Sequence, residues 1–144
     1  MDPLSITAGA IGIAAPTIHC VRLLVEDIQR IVDAPDTVAA LQDDLVALEE
    51  TLTSLHGVSA EQWKSLGDSV ADGSKVALKA CEASCDKFRA DLARWTRHTT
   101  SDGKMSWRDR ASVGFLKQGE IKTLSEQLQR CKATLSFAVS TATL

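Results

Sequence analysis

The stretch Pro35–Gly57, PDTVAALQDDLVALEETLTSLHG, decides the fold of this chain. Proline followed by aspartate is typical of a helix start, because proline lacks only an N–H that the first turn leaves unpaired and aspartate lies at the positive end of the helix dipole. His56-Gly57 indicates the end of the same helix. Its apolar residues alternate three and four apart, namely Val38, Leu41, Leu45, Leu48, Leu52 and Leu55. This spacing predicts a helix that packs knobs into holes against other helices.

Three further segments have the same three-four spacing, which predicts three more long helices. Their apolar positions are Ile11, Ala14, Ile18, Val21, Val25, Ile28 and Val32 in the first segment, Leu78, Cys81, Cys85, Phe88, Leu92 and Trp95 in the second, and Ile121, Leu124, Leu128, Cys131, Leu135 and Ala138 in the third. We expect the second of these helices to begin at Ser74, because Gly67 and Gly73 loosen the chain before it. The last helix is expected to follow a bend near Gly114 and Gly119.

A short helix is predicted between the second and third long helices. Ser59 and Gln62 have the spacing of a capping box, and Trp63 and Leu66 follow as its apolar residues. No strand-like alternation of any length occurs in the sequence. The predicted fold class is therefore all-α, a single domain over residues 1–144 that forms an antiparallel four-helix bundle with one or two short accessory helices.

Composition limits the class of function. The 144 residues are 44% apolar, enough for one sizeable core. Aromatic residues make up only 4% of the chain and tyrosine is absent, which argues against a surface that stacks nucleic-acid bases. Nucleophile elbows, phosphate-binding glycine loops and HExxH patterns are also absent, so we expect no enzymatic activity and no nucleic-acid partner.

The net charge of −3 conceals two halves of opposite sign. Residues 1–73 carry three basic and twelve acidic residues, whereas residues 74–144 carry thirteen basic and seven acidic ones. We call the main group of positive residues the basic band; it comprises Lys87, Arg89, Arg94, Arg97, Lys104, Arg108, Arg110 and Lys117. This band either docks on anionic lipid or pairs with the acidic helix around Asp43, Asp44, Glu49 and Glu50.

The first turns of the chain form an N-terminal apolar segment, Pro3–Val21, in which only His19 can carry charge. Its length is close to that of a helix that crosses a bilayer. A secretory signal would have a basic start where this chain has Asp2, and a permanent anchor would have more Leu, Ile and Phe. Two interpretations remain: the first core helix of a bundle, or a helix that also enters lipid, where its small-xxx-small pairs allow close helix approach. These pairs are Ser5/Gly9 and Ala8/Gly12.

The four cysteines are expected to be reduced thiols without disulfides. Cys81 and Cys85 lie one helical turn apart, and Cys20 and Cys131 fall on predicted inner faces, so a metal site within the bundle is geometrically conceivable. Each of these positions would suit leucine equally well, and we therefore predict small hydrophobic side chains with no metal and no cofactor. The three tryptophans are interpreted as core or inter-helix residues, with interfacial anchoring as the alternative.

Both ends of the chain resemble one protein family. The opening MDPLSITAGAIGIAAPTI and the closing MSWRDRASVGFLKQGEIKTLSEQLQRCKATLSFAV are similar to the HeLo-like N-terminal domains of fungal STAND (NLR-like) proteins. Members of that family resemble in fold the HeLo domain and the helical bundle of the mixed-lineage-kinase-like pseudokinase. The middle of the chain matches only in helical pattern.

The resemblance implies a membrane-targeting, pore-forming or membrane-disrupting cell-death effector of an innate immunity or heterokaryon incompatibility system. Such a domain is cytoplasmic when inactive, self-associates on a signal from an upstream NLR-like receptor or attached sensor domain, and acts on anionic lipid at the plasma membrane. The membrane-insertion positions that it implies here are Leu4, Ile6, Gly9, Ile11, Gly12, Ile13, Ile18 and Val21. The alternative function is a non-lytic oligomerisation or adaptor module of a STAND signalling protein.

Overall fold

The computed structural model describes residues 3–98, 104–107 and 115–143, with side chains over 14–96, 104–107 and 118–143. The elements follow in the order α1 Pro3–Arg30, α2 Asp36–His56, α3 Ala60–Ser65, α4 Asp68–Trp95, β1 Thr96–His98, β2 Met105–Trp107 and α5 Phe115–Ala142. The four long helices and the short α3 confirm the predicted all-α bundle.

The long helices form a ring in which α1 packs on α2 and α4, and α5 packs on the same two helices. Long helices that are consecutive in the chain run antiparallel. The adjacent pair α1 and α4 instead runs parallel, since Thr17 reaches Leu78 and, further along both helices, Asp27 reaches Arg89. This arrangement arises because α3, which contacts α1 and α5, carries the chain across one end of the bundle between α2 and α4.

The predicted apolar stripes of α2, α4 and α5 are confirmed, because every residue in them is buried. In α1 the outcome is mixed. Val32 was placed on the stripe but its side chain is 64% exposed, whereas Leu24 and Ile31 are buried. The helix ends at Arg30, and the Val32 N–H donates to the Met105 carbonyl at 2.9 Å. The helix therefore ends before Val32, although the three-four spacing predicts that it continues to this residue.

The short helix α3 has the capping box that the sequence predicts. The Gln62 N–H donates to the Ser59 hydroxyl at 3.1 Å, and the Ser59 N–H donates to the Gln62 side chain at 3.0 Å. The helix after it begins at Asp68 rather than at Ser74. Gly67, with φ 84°, makes the turn, while Gly73 continues the helix on an open face.

Two short strands form a hairpin that the sequence did not predict. Thr96 pairs with Trp107 and His98 with Met105. The Asp33 carboxylate accepts hydrogen bonds from the Trp107 N–H at 2.7 Å and the Ser106 hydroxyl at 3.0 Å. The hairpin follows α4 and therefore closes the end of the bundle opposite α3.

The last helix is also longer than predicted. α5 begins at Phe115 and continues through Gly119, where the sequence had indicated a bend. Gly114 lies outside the described residues. A Cβ at Gly119 would have no atom within 4 Å, so nothing at this position requires the helix to break.

Candidate functional site

The N-terminal apolar segment is helical from Pro3, as part of α1. Six of its predicted insertion positions lie outside the residues whose side chains are described: Leu4, Ile6, Gly9, Ile11, Gly12 and Ile13. The other two, Ile18 and Val21, are buried in the bundle at 8% and 0% exposure. The structure therefore places the end of the predicted segment inside the core.

Pro16 lies within α1 on an exposed face of the helix. Proline has no N–H, so the carbonyl of Gly12 lacks its usual partner four residues on, and the proline ring crowds the same carbonyl. Such a position weakens the helix ladder by about 3 kcal/mol in a helix interior. Pro16 thus weakens α1 between its uncharged start and the second half, whose apolar face is buried.

Polar contacts hold the second half of α1 to two neighbouring helices. The buried Thr17 hydroxyl donates to the Leu78 carbonyl of α4 at 3.4 Å. The Arg89 Nε donates to the Asp27 carboxylate at 2.7 Å, and this hydrogen bond raises the pKa of Arg89. Arg22 forms an ion pair with Glu49 of α2. These contacts, with the buried apolar stripe, tie residues 17–30 to the bundle.

Within the part of the chain that the structure describes, none of the helices is both long enough and apolar enough to cross a membrane. The side chains of α1 are described from Ala14 onward, and this part includes Arg22, Glu26, Asp27 and Arg30.

The structure describes the side chains of four residues of the basic band. Arg89 pairs with Asp27, and Arg94 pairs with the buried Asp91. Lys87 and Lys104 are exposed. The side chains of the other four lie outside the described residues: Arg97, Arg108, Arg110 and Lys117.

In the described part of the band, Arg89 and Arg94 pair with acids of α1 and α4 and not with the acidic helix α2. Asp44 accepts hydrogen bonds from Ser125 and Gln129 of α5. Glu49 pairs with Arg22 of α1, which is outside the band. Because α2 and α4 lie across the diagonal of the bundle, their outer faces point to opposite sides.

The two parts of the predicted site lie towards opposite ends of the bundle. α4 runs parallel to α1, so Arg89 lies at the level of Asp27, near the C-terminal end of α1. At about 1.5 Å per residue, the 18 residues from Gly9 to Asp27 separate the two levels by roughly 27 Å. Only a bundle lying with its long axis along a membrane would bring both parts to the same surface.

The four cysteines are free thiols, as expected. Cys81, Cys85 and Cys131 are buried between α4 and α5, and the Cys131 Sγ donates to the Ala77 carbonyl at 3.5 Å. A hydrogen bond with Cys81, followed by burial, raises the pKa of Cys131. These thiols behave as core side chains in the way the sequence predicts.

Cys20 is half-buried on α1, close to Glu82 and Asp86 of α4. Burial, and then the negative charge of Asp86, raise the pKa of its thiol to about 11. Cys20, Glu82 and Asp86 each place one potential ligand atom within 4.8 Å of the other two. Sequence spacing did not reveal this group, because it depends on the parallel packing of α1 and α4.

The tryptophans are core residues. Trp63, Trp95 and Trp107 are 5%, 8% and 2% exposed, and the rings of Trp95 and Trp107 have centroids 5.8 Å apart. Phe88 meets Trp95 edge-on at 5.7 Å. This aromatic group packs the hairpin against the end of the bundle.

Comparison with known proteins gives one family. No curated protein and no solved structure matches the chain. The family model for the N-terminal region of the pigment biosynthesis cluster protein PigL matches residues 1–144. The chain therefore belongs to the PigL N-terminal family.

Proposed function

We propose that this chain is a membrane-targeting and membrane-disrupting cell-death effector domain of a fungal NLR-like immunity or incompatibility system. On activation it self-associates, moves from the cytoplasm to anionic lipid of the plasma membrane, and inserts the start of α1. The observation that carries the proposal is the uncharged helical start of α1 ahead of Pro16, attached to a second half that the bundle holds firmly. The resemblance of both chain ends to HeLo-like domains supports the same function.

Insertion of residues 3–15 demands less of the bundle than insertion of residues 3–21. Extending the inserted part to Val21 takes the buried Ile18 and Val21 out of the close-packed core and leaves cavities there, which destabilises the bundle. It also breaks the Thr17 hydrogen bond to α4. Insertion of residues 3–15 leaves these contacts intact if α1 bends at Pro16, and among the described side chains it takes only the small side chain of Ala14 out of the core.

A segment of 13 residues also determines the mode of action. As a helix it is about 20 Å long, shorter than the roughly 30 Å of the hydrocarbon layer. One copy therefore enters a single leaflet and disorders it, and several copies are needed for a continuous lesion. This requirement accounts for self-association as the activating step.

A leakage assay tests the proposal. Wild-type protein is added to dye-loaded vesicles of phosphatidylserine and phosphatidylcholine, beside the variants Ile11→Asp and Gly12→Glu. Because a charge at a helix centre costs about 2.5–3.5 kcal/mol in a bilayer, both variants should leak much less dye than wild type. Val46→Asp on α2 is the matched control, since Val46 is 42% exposed and lies outside the N-terminal segment.

Circular dichroism and the thermal midpoint establish that each variant is folded. Equal leakage by wild type and both N-terminal variants, all folded, would contradict the proposal. Loss of leakage with Val46→Asp as well would point to a general effect of added charge rather than to the N-terminal segment.

The second candidate function is a non-lytic adaptor that oligomerises through helix faces. The burial of Ile18 and Val21 favours it, since part of the predicted insertion segment serves the core. Deletion of residues 1–15 separates the two candidates. The lytic function predicts a folded bundle without leakage activity, whereas the adaptor function predicts that the bundle unfolds.

A further inference from the structure

A group of three potential metal ligands lies at the interface of α1 and α4. Cys20 comes from α1, and Glu82 and Asp86 come from successive turns of α4. The cysteine sulfur and one carboxylate oxygen from each acid are all within 4.8 Å of one another. Cys20 and Glu82 are half-buried and Asp86 is exposed, so the group is open to solvent on one side.

The fold sets this geometry. Residues four apart lie on the same face of a helix, which places Glu82 and Asp86 side by side. The parallel packing of α1 and α4, fixed nearby by the Thr17 and Asp27 contacts, brings Cys20 to the same level. The three ligands therefore converge from two elements whose relative position is fixed by other contacts.

We propose that Cys20, Glu82 and Asp86 bind a divalent cation of the zinc type. A thiolate with two carboxylates suits zinc, whereas magnesium and calcium favour all-oxygen sites. In a tetrahedral zinc site the metal–ligand distances are about 2.0–2.3 Å, so ligand atoms lie roughly 3.5 Å apart. Drawing the three atoms together by about 1 Å, with water as the fourth ligand, completes such a site.

The charges of the site are consistent with a bound cation. When the metal–sulfur bond forms, the Cys20 thiol releases its proton to solvent, and the three ligands then carry three negative charges. Arg89, a cation whose charge acts on Cys20, makes a 2.7 Å hydrogen bond to Asp27, and the negative charge of Asp27 offsets the positive charge of Arg89. A cation held here joins α1 to α4 just beyond Pro16, and it would fix the second half of α1 more firmly.

Cobalt(II) titration of the full chain tests the site, because a thiolate–cobalt bond gives a near-ultraviolet charge-transfer band. Wild-type protein should develop this band at one equivalent of cobalt, and zinc should displace the cobalt. Cys20→Ser should abolish the band. Glu82→Gln and Asp86→Asn should each weaken cobalt binding by about 10–100-fold or more. Loss of a residue that only hydrogen-bonds to a metal ligand already lowers metal affinity by about 10–100-fold.

Asp72→Asn is the matched control, since Asp72 is an exposed acid on the same helix, far from Cys20. It should bind cobalt as wild type does. A thermal midpoint that rises with zinc in wild type, and not in Cys20→Ser, gives a second measurement that is independent of the spectrum.

Two results would overturn the inference. One is the absence of a charge-transfer band in folded wild-type protein at micromolar cobalt. The other is a band that persists unchanged in Cys20→Ser, which would assign the thiolate to Cys81, Cys85 or Cys131.

Discussion

At the scale of single residues, a few polar side chains fix features that apolar spacing does not specify. Asp33, in the connection after α1, reaches the hairpin more than 70 residues later and accepts two hydrogen bonds there. Thr17 makes a buried contact with α4. No local sequence pattern identifies either partner, because each contact depends on helices that pack far from one another in the chain.

Asp33→Ala is expected to destabilise the bundle. It removes the two hydrogen bonds from β2 to the Asp33 carboxylate, and a hydrogen bond to a charged group contributes about 1.5–3 kcal/mol. Urea unfolding of the variant should show this loss, with a smaller loss for Asp33→Asn, which keeps one acceptor oxygen. Val32→Ala, at the exposed neighbouring position, should change the free energy of unfolding by less than about 0.5 kcal/mol. An unfolding curve of Asp33→Ala that overlays that of wild type would contradict this role.

At the scale of elements, the sequence specifies buried helix faces better than helix ends. The stripes of α2, α4 and α5 could be predicted because three-four spacing directly reports the buried side of a helix. The start of α4 could not be predicted in this way. Glycine destabilises a helix by only about 1 kcal/mol, and the packing of α4 against two neighbouring helices outweighs this cost at Gly73. The sequence does not predict the hairpin, because strands of three residues are too short to show alternation. In addition, β2 is held by hydrogen bonds to Asp33, which lies far away in the chain.

The interface of α4 and α5 gives a prediction for its thiols. Cys81, Cys85 and Cys131 are buried, and the pKa values of Cys81 and Cys131 are raised in the fold. For Cys81, the hydrogen bond from Cys131 lowers the pKa, but the bond with Cys85 and burial together raise it further. With a chelator present, a thiol reagent should therefore modify Cys20 first and the other three only as the protein unfolds.

The same pKa shifts set a direction for stability in alkali. Between the ordinary thiol pKa of 9.0 and the higher folded value, the unfolded chain loses protons that the folded chain retains. The contribution of these thiols to stability is therefore complete below pH 9 and declines as pH rises above it.

The labelling prediction has its own contradicting result. If mass spectrometry showed that the reagent rapidly modifies all four cysteines of the native protein at pH 8, the burial of Cys81, Cys85 and Cys131 would be contradicted.

At the scale of the whole molecule, helix order determines how the candidate site is arranged. Charge counting revealed an acidic first half and a basic second half, but not that α2 and α4 lie across the bundle diagonal. Nor did it reveal that the described part of the basic band and the start of α1 lie towards opposite ends of the bundle. The parallel packing of α1 and α4 produces both results, and it arises from the crossing made by α3.

Docking through the basic band predicts an effect of Lys87, an exposed band residue. Lys87→Ala should weaken the first, salt-dependent binding to anionic vesicles about fivefold, since a basic residue near such a surface contributes about 1 kcal/mol. Leakage per bound molecule should stay unchanged. Lys64→Ala on α3, at the other end of the bundle, is the control, and vesicle sedimentation at two salt concentrations makes the comparison. A larger effect at Lys64 than at Lys87 would place the docking surface at the α3 end.

The account as a whole depends on which residues enter hydrocarbon. Vesicles whose lipids carry a photoreactive group in the acyl chain can be irradiated after activated protein has bound, and the adducts mapped by mass spectrometry. We predict adducts within residues 3–15 and none in α2, while residues 17–30 stay unmodified because the bundle holds them. An absence of adducts from residues 3–15 in bound protein, or adducts spread through residues 17–30, would contradict the account.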